Sequence, residues 1–347
     1  MKFLPALLVF LLLFSCADSD SPSELPADAH SVLRALEAGH NNRLADRLNL
    51  IIVGKGYQNM DEFLATVHRD LAFDGVEQPN PESIDKVHFG LFAIEPFKSQ
   101  RSKFNLWYYP EQLNTISPAD FISQKRDDLT GSARDFGLPF ATYLFFLNPT
   151  GDPQSFAYPS NVPPGVAPDK KTLLFGSATV ARYPTIGDGM AVVAHELGHS
   201  IFNLRDEYVR TSPDFIDRYG HNIARTTTEA RQLWGSVEGQ VDPFYYTWKE
   251  KMMANGFWID RSTPLFMQHD AKRGIDIYTW HPHEEEIRAG YVQGGGITTT
   301  GISWRPTKTS LMNNEDIWDK SWPRFPPVFG AANRRVMHTV LDLFSGN

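Results

Sequence analysis

Cysteine is almost absent from this 347-residue sequence, which contains a single one, Cys16. One cysteine excludes an intramolecular disulfide framework and any cysteine-rich zinc or iron–sulfur site, so a metal site would have to use histidine and carboxylate side chains. Basic residues are also few, because 33 Lys and Arg stand against 41 Asp and Glu for a net charge of −8, and they form no cluster. We therefore expect no nucleic-acid partner.

Long apolar runs are missing except at the start of the chain. Lys2 and an apolar run over residues 3–14 precede Ser15 and Cys16, which is the layout of an export signal. The run is shorter than the roughly 20 residues that a membrane-spanning helix needs. Its end resembles the lipobox of bacterial lipoproteins, in which cleavage falls before the cysteine and lipid is attached there. The alternatives are a plain signal peptide with cleavage slightly later and a buried helix.

The remaining sequence predicts one folded domain. We assign residues 1–15 to a lipoprotein signal peptide, residues 16–41 to the lipidated N-terminus and a flexible acidic tether, and residues 42–347 to a single folded domain. A hydrophobic content of 41% is enough for a core, and no internal repeat or long linker divides the domain. We expect a monomeric, exported bacterial lipoprotein that is anchored to the cell envelope, at the outer membrane or cell surface, through lipid on Cys16.

Hydrophobic periodicity predicts a mixture of strands and helices. The expected strands are residues 48–53, 89–94, 104–109 and 142–147, with a strand pair around residues 294–305. The expected helices are residues 59–74, 118–129, 190–204, 246–255 and 331–344. Six prolines make residues 149–170 a surface loop. The predicted class is α/β (α+β), with a mixed twisted sheet and a mostly helical or irregular C-terminal part.

The helix over residues 190–204 contains the pattern H-E-x-x-H, in which His195, Glu196 and His199 are the defining residues. Residues four apart on a helix project from one face, so both imidazoles can bind a single metal ion. Glu196 lies about 100° round the helix from His195, where it can reach a water held by that metal. This spacing indicates a zinc hydrolase.

A catalytic zinc usually has three protein ligands, and two acidic residues shortly after the helix are candidates for the third. These are Asp206, which we favour, and Glu207, the alternative. An unbroken helix would carry Asp206 more than about 10 Å from the two histidines, so the chain has to turn. Asn203 is the residue best able to adopt the left-handed conformation that ends a helix in this way.

The segment HELGHSIFNLRDEY, residues 195–208, is similar to the signature of the bacterial IgA-peptidase family of metzincin-like zinc metallopeptidases. Asn203 stands where that family usually has glycine, and both residues tolerate positive φ. The resemblance extends to RLNLIIVGKGY (47–57), EPFKSQRSKFNLW (95–107), the Trp248-Lys249 pair and GGGITTTGISWRPTKTSLMNN (294–314). It therefore covers nearly all of the predicted mature chain.

The resemblance implies a metzincin-like fold, in which a methionine turn forms an apolar floor beneath the metal. Met312 is similar to that residue by its position, and an ordinary core methionine is the alternative. Tyr208 and Arg305 are candidates to stabilise the negative oxygen that develops on a substrate. His281 and His283, which precede three glutamates, are assigned to a solvated charged face.

The predicted activity is that of a zinc metallo-endopeptidase, which hydrolyses peptide bonds of an extracytoplasmic protein or peptide substrate. Glu196 would assist a zinc-bound water in its attack on the scissile carbonyl, and would then protonate the leaving amine. One alternative is a non-catalytic surface lipoprotein that binds peptide or glycan on a peptidase fold. Another is a zinc hydrolase that acts on a different amide or on a glycoprotein. The sequence outside the motif indicates no particular substrate.

Replacement of Cys16 tests the lipid anchor. Cys16→Ala removes the only thiol that could carry lipid, and we expect the variant to leave the membrane fraction after cell fractionation. A variant that still pelleted with membranes would contradict lipidation at this residue.

Overall fold

The structure is a computed structural model that describes residues 33–37, 46–72, 74–76, 87–113, 117, 120, 138, 141–147, 156–158, 177–181, 189–207, 220–254, 256–260, 265–270, 274–280, 283–295, 303–308, 310–313 and 328–344. The predicted export signal, the candidate lipidation residue Cys16 and nearly all of the predicted helix over 118–129 lie outside these ranges.

The described residues form a mixed α/β structure of thirteen strands and six α-helices. The strands are β1 (Arg34–Ala35), β2 (Leu48–Lys55), β3 (Asp74–Val76), β4 (Val87–Phe89), β5 (Phe104–Tyr108), β6 (Ala141–Leu147), β7 (Phe156–Tyr158), β8 (Ser177–Ala181), β9 (Trp258–Asp260), β10 (Leu265–Asp270), β11 (Ile275–Trp280), β12 (Val292–Gln293) and β13 (Trp304–Arg305). The helices are α1 (Met60–Ala72), α2 (Gly189–Phe202), α3 (Thr227–Trp234), α4 (Pro243–Ala254), α5 (Glu284–Ile287) and α6 (Ala331–Leu341).

The main sheet has six strands in the order β1-β5-β2-β6-β8-β7. The four inner strands are mutually parallel, and the two edge strands run antiparallel to their neighbours. The coarse prediction of a mixed sheet with helices is therefore confirmed. The sheet's short strand β7 falls inside residues 149–170, where we predicted only loop; the rest of that range is outside the described residues.

The central strand β2 is buried on both of its faces. Leu50 and Ile52 face one apolar cluster, whereas Ile51 and Val53 face another. A parallel strand that is covered on both sides reads as a continuous apolar run, which explains why this strand could be predicted from sequence. The side chain of Asn49 on β2 accepts hydrogen bonds from the side chains of Asn105 (3.0 Å) and Trp107 (3.1 Å) on the neighbouring strand β5.

Helices α1 and α2 contribute to the larger of the two clusters. The stripe of Phe63, Val67 and Leu71 on α1 is fully or almost fully buried there. Helix α2 packs against β7 and β8 and also contacts α1 and α6. Helix α2 is therefore held between the main sheet and the C-terminal helix α6.

Two regions differ from the sequence predictions. Residues 89–94 were expected to be a strand, but β4 ends at Phe89 and Leu91–Ala93 form a 3₁₀ turn. Leu91 and Ile94 reach the core from that turn, and a short apolar run does not distinguish these conformations by its period. The antiparallel sheet β11-β10-β9 was not predicted. By contrast, a strand pair was predicted around residues 294–305, and the antiparallel pair β12 and β13 is found there, with β12 just before that range and residues 296–302 outside the described ones.

None of the described helices combines the length and the hydropathy needed to cross a membrane.

Substitution of Gly54 tests the packing between β2 and α1. A Cβ atom at Gly54 would lie 2.7 Å from the Phe63 ring, which is fully buried. We expect Gly54→Ala to lower the free energy of unfolding by about 1–3 kcal/mol, because overpacking displaces the ring. Denaturant titration measures the effect.

Gly290→Ala is the matched control, because a Cβ there meets no atom within 4 Å. We expect it to stay within about 0.5 kcal/mol of the wild type. Equal stabilities of the two variants would contradict this description of the packing.

Candidate metal centre

Helix α2 buries one face and presents polar side chains on another. The buried apolar residues of this helix are Val193, Ala194, Leu197, Ile201 and Phe202. His195, Glu196 and His199 are also buried, with exposed fractions of 5%, 5% and 9%. Buried imidazoles and carboxylates are costly unless they have partners, so their surroundings determine what this helix can do.

The turn predicted at Asn203 is confirmed, because this residue is the only non-glycine residue with positive φ (51°) in the described part of the chain. Its backbone N–H donates to the His199 carbonyl (3.1 Å), and that of Leu204 donates to the Gly198 carbonyl (3.1 Å). A left-handed residue after the last helical turn is a common way to end a helix. The chain folds back here and brings Asp206 to the helix.

Three potential ligand atoms meet at this turn. The Nε2 atoms of His195 and His199 are 3.1 Å apart, and Asp206 Oδ1 lies 3.2 Å and 3.4 Å from them. A tetrahedral ion with bonds of about 2.0–2.2 Å holds its ligand atoms about 3.3–3.6 Å apart. The observed spacing is therefore close to that of three vertices of such a tetrahedron.

The other nitrogen of each ring is engaged by a backbone carbonyl. His195 Nδ1 donates to Leu311 O (2.8 Å), and His199 Nδ1 donates to Leu204 O (2.7 Å). Because a carbonyl only accepts, each Nδ1 carries the proton, and the Nε2 atom of a neutral ring presents a lone pair. Asp206 Oδ1 is buried and faces the two Nε2 atoms. Three electron-pair donors facing one point fit a metal cation.

The carboxyl groups of Glu196 and Asp206 differ in their electrostatic surroundings. Burial raises the pKa of Glu196 to about 8, with His195 opposing that shift and Asp206 adding to it. Burial also acts to raise the pKa of Asp206, but positive charge on the facing imidazoles outweighs burial and holds this pKa well below its usual range. A metal cation bound by the neutral rings would act on the carboxylate in the same direction. Asp206 is thus the ionised group, and Glu196 is the one suited to exchange a proton.

Glu207, the alternative third ligand, does not lie with the imidazoles. Its fully buried carboxylate accepts hydrogen bonds from the side chains of Asn333 (2.8 Å), Ser310 (2.8 Å), Asn222 (3.2 Å) and Thr307 (3.2 Å). Burial raises the pKa of Glu207, and the hydrogen bonds from Asn333, Ser310 and Asn222, with the charge of Arg305, act against that shift. The structure brings together His195, His199 and Asp206, and those are the residues we retain as candidate ligands.

The residues that support the site were not predicted from sequence. Asn222 is the clearest example, because its side chain accepts from Arg205 N (2.7 Å) and donates to Arg205 O (2.8 Å). It thereby braces the backbone just before Asp206. Thr307 and Ser310 lie within the segment 294–314 that was singled out above, but nothing in the sequence assigned them a role, and no spacing connects them or Asn333 to the H-E-x-x-H motif.

The other predicted site residues have different outcomes. Met312 is fully buried and its side chain packs against Gly198 on α2. The two residues are so close that a Cβ added at Gly198 would lie 2.8 Å from Met312 Sδ. Arg305 donates a hydrogen bond through Nη1 to the main-chain oxygen of Glu207, so it contacts the segment beside Asp206. Tyr208 lies outside the described residues, and its assignment stays a prediction.

His281 is outside the described ranges as well. His283 is exposed, immediately before the acidic first turn of α5, and its backbone N–H donates to Glu286 (2.9 Å). This placement agrees with the predicted solvated face.

Replacement of Asn203 tests the turn. The backbone at Asn203 is left-handed, with φ 51°, and alanine tolerates this conformation less well than asparagine does. We therefore expect Asn203→Ala to lower the free energy of unfolding by about 1–2 kcal/mol. Asn203→Gly is the matched control, since glycine adopts this conformation without strain. Denaturant unfolding and metal analysis should show lower stability and less bound metal for the alanine variant. Equal values for both variants would contradict the argument.

No protein-family profile matches the chain, and no curated protein matches it. What the chain does must therefore be inferred from the geometry of its own side chains.

Proposed function

We propose that this protein is a zinc-dependent metallo-endopeptidase. The observation that carries the proposal is the convergence of three buried lone-pair atoms, from His195, His199 and Asp206, within 3.1–3.4 Å of one another. Both Nδ1 protons are already donated to carbonyls, so the facing atoms cannot satisfy each other as neutral groups. A cation bound between them would accept all three lone pairs.

The donor set favours zinc. Two imidazole nitrogens and one carboxylate oxygen are typical of catalytic zinc, which keeps a fourth position for water or substrate. Magnesium and calcium prefer oxygen ligands throughout. Donation of each Nδ1 proton to a backbone carbonyl also matches the way proteins orient histidine ligands.

Peptide hydrolysis needs an activated water and a group that moves protons. Zinc held by these residues would supply the first, because a zinc-bound water has a pKa of about 7. Glu196, in the same turn of α2 as both histidines, takes the proton from the attacking water and delivers it to the leaving amine. Asp206 and the two histidines would hold the metal. Tyr208 is proposed as a donor to the developing oxyanion.

The proposed fold is metzincin-like. The mixed sheet, the edge strand β7 packed beside α2, and Met312 against Gly198 support this assignment. The proposed substrate is an extracytoplasmic protein or peptide, and what supports it is the predicted export signal over residues 1–15 with the candidate lipidation site at Cys16. In this proposal the enzyme acts at the cell envelope and resembles the IgA-peptidase family in its mechanism.

Zinc content and cleavage of a peptide library, measured on the purified protein, test the proposal. We expect about one zinc per chain in the wild type and in Glu196→Gln, because Glu196 is not a ligand. Cleavage should fall by at least about 100-fold in Glu196→Gln, because the proton carrier is lost. Asp206→Ala should instead reduce the zinc content itself.

Glu250→Gln is the matched control, because Glu250 is exposed on α4 and this change should leave zinc and cleavage unaltered. Undiminished cleavage by Glu196→Gln would contradict its proposed role. Absence of zinc from the wild type would contradict the function as a whole. Zinc without cleavage in any variant would favour the alternative of a peptide- or glycan-binding lipoprotein.

A further inference from the structure

Glu207 is the most completely hydrogen-bonded carboxylate near the site. One of its oxygens, Oε1, accepts from the side-chain amides of Asn222 and Asn333, and Oε2 accepts from the hydroxyls of Thr307 and Ser310. The residue has no exposed surface. Four donors around one buried group require about four acceptor positions, which a carboxylate provides and an amide does not.

One side of this network leads to a candidate ligand. Ser310, which donates to Glu207 Oε2 (2.8 Å), also accepts the backbone N–H of Met312 (3.0 Å). Ser310 and Met312 flank Leu311, whose carbonyl accepts from His195 Nδ1 (2.8 Å). The Glu207 carboxylate therefore holds the turn that orients the His195 ring.

The backbone of Glu207 leads to a second candidate ligand. Its N–H donates to Met312 O (2.7 Å), and its carbonyl accepts from Arg305. Both contacts hold the chain directly after Asp206. The same residue is thus linked to the position of Asp206 and to the orientation of His195.

We propose that Glu207 is a positioning residue for the zinc site, which sets the ligand atoms of Asp206 and His195 in place before the metal binds. The inference rests on the proposed function, and it deepens it by assigning metal affinity partly to a residue that does not contact the metal. Ligands that are already arranged lose less conformational freedom on binding, so the metal is held more tightly.

Two variants separate the steps of this network. Glu207→Gln keeps the shape of the side chain but brings two N–H donors into a site that already has four. Ser310→Ala removes only the hydroxyl that joins Glu207 to the turn of Leu311. The second variant keeps the inference testable if the first fails to fold.

Asp242→Asn is the matched control. Asp242 is also fully buried, accepts from Phe244 N (3.0 Å) and pairs with Arg334, the neighbour of Asn333 on α6. Its loss should weaken the packing of the same helix without touching the contacts of Glu207.

The measurement is the zinc dissociation constant of each purified protein, by competition with a chelating dye. A second readout is the rise in Tm that zinc causes in each variant, measured against the metal-free form of that variant. A variant that is only less stable has a lower Tm in both forms, so the rise itself reports zinc binding. We expect Glu207→Gln and Ser310→Ala to bind zinc about tenfold or more weakly, and Asp242→Asn to stay within about twofold of the wild type.

Wild-type affinity in both Glu207→Gln and Ser310→Ala would overturn this inference and leave the proposed function standing. Equal weakening in Asp242→Asn would also overturn it, because the effect would then follow from stability. A wild-type protein that binds no zinc would overturn the proposed function and the inference together.

Discussion

The site depends on a single backbone turn at Asn203. Without a residue at φ 51° after α2, the chain would continue away from the helix and Asp206 would not meet His195 and His199. The same turn aims the Leu204 carbonyl at His199 Nδ1, so it sets the tautomer of one imidazole while it delivers the carboxylate. One local conformation therefore contributes both a candidate ligand and the orientation of another.

The polar groups that this arrangement buries are stabilised by long-range hydrogen bonds. Ionised or dipolar side chains in an apolar interior lose free energy of hydration, which only well-placed partners restore. Here the partners come from three separate segments, represented by Asn222, Ser310 and Asn333, and they converge on Glu207. Asp206 has imidazole neighbours in place of such donors. Asp206 and Glu207 are adjacent and chemically alike, and only their surroundings make Glu207 a structural group and Asp206 a candidate ligand.

The sheet could be anticipated where burial on both faces leaves a clear pattern. Strand β2 and helix α1 follow the predicted ranges closely, because their apolar residues recur with the period of the structure that they adopt. The pattern fails at residues 89–94, where Leu91 and Ile94 enter the core from a 3₁₀ turn. It also failed to reveal β9 to β11, which form a sheet of their own.

The sequence by itself determined the part of the site that lies within one helix. His195, Glu196 and His199 are related by helical spacing, and Asn203 by its tolerance of positive φ, so local geometry was enough to predict how they are arranged. Only the tertiary structure decided between Asp206 and Glu207, which are neighbours of the same chemical type. That choice depends on donors about 15 to 126 residues away, such as Asn222 and Asn333. Contacts over such separations are set by the packing of the whole fold, and no local pattern in the chain records them.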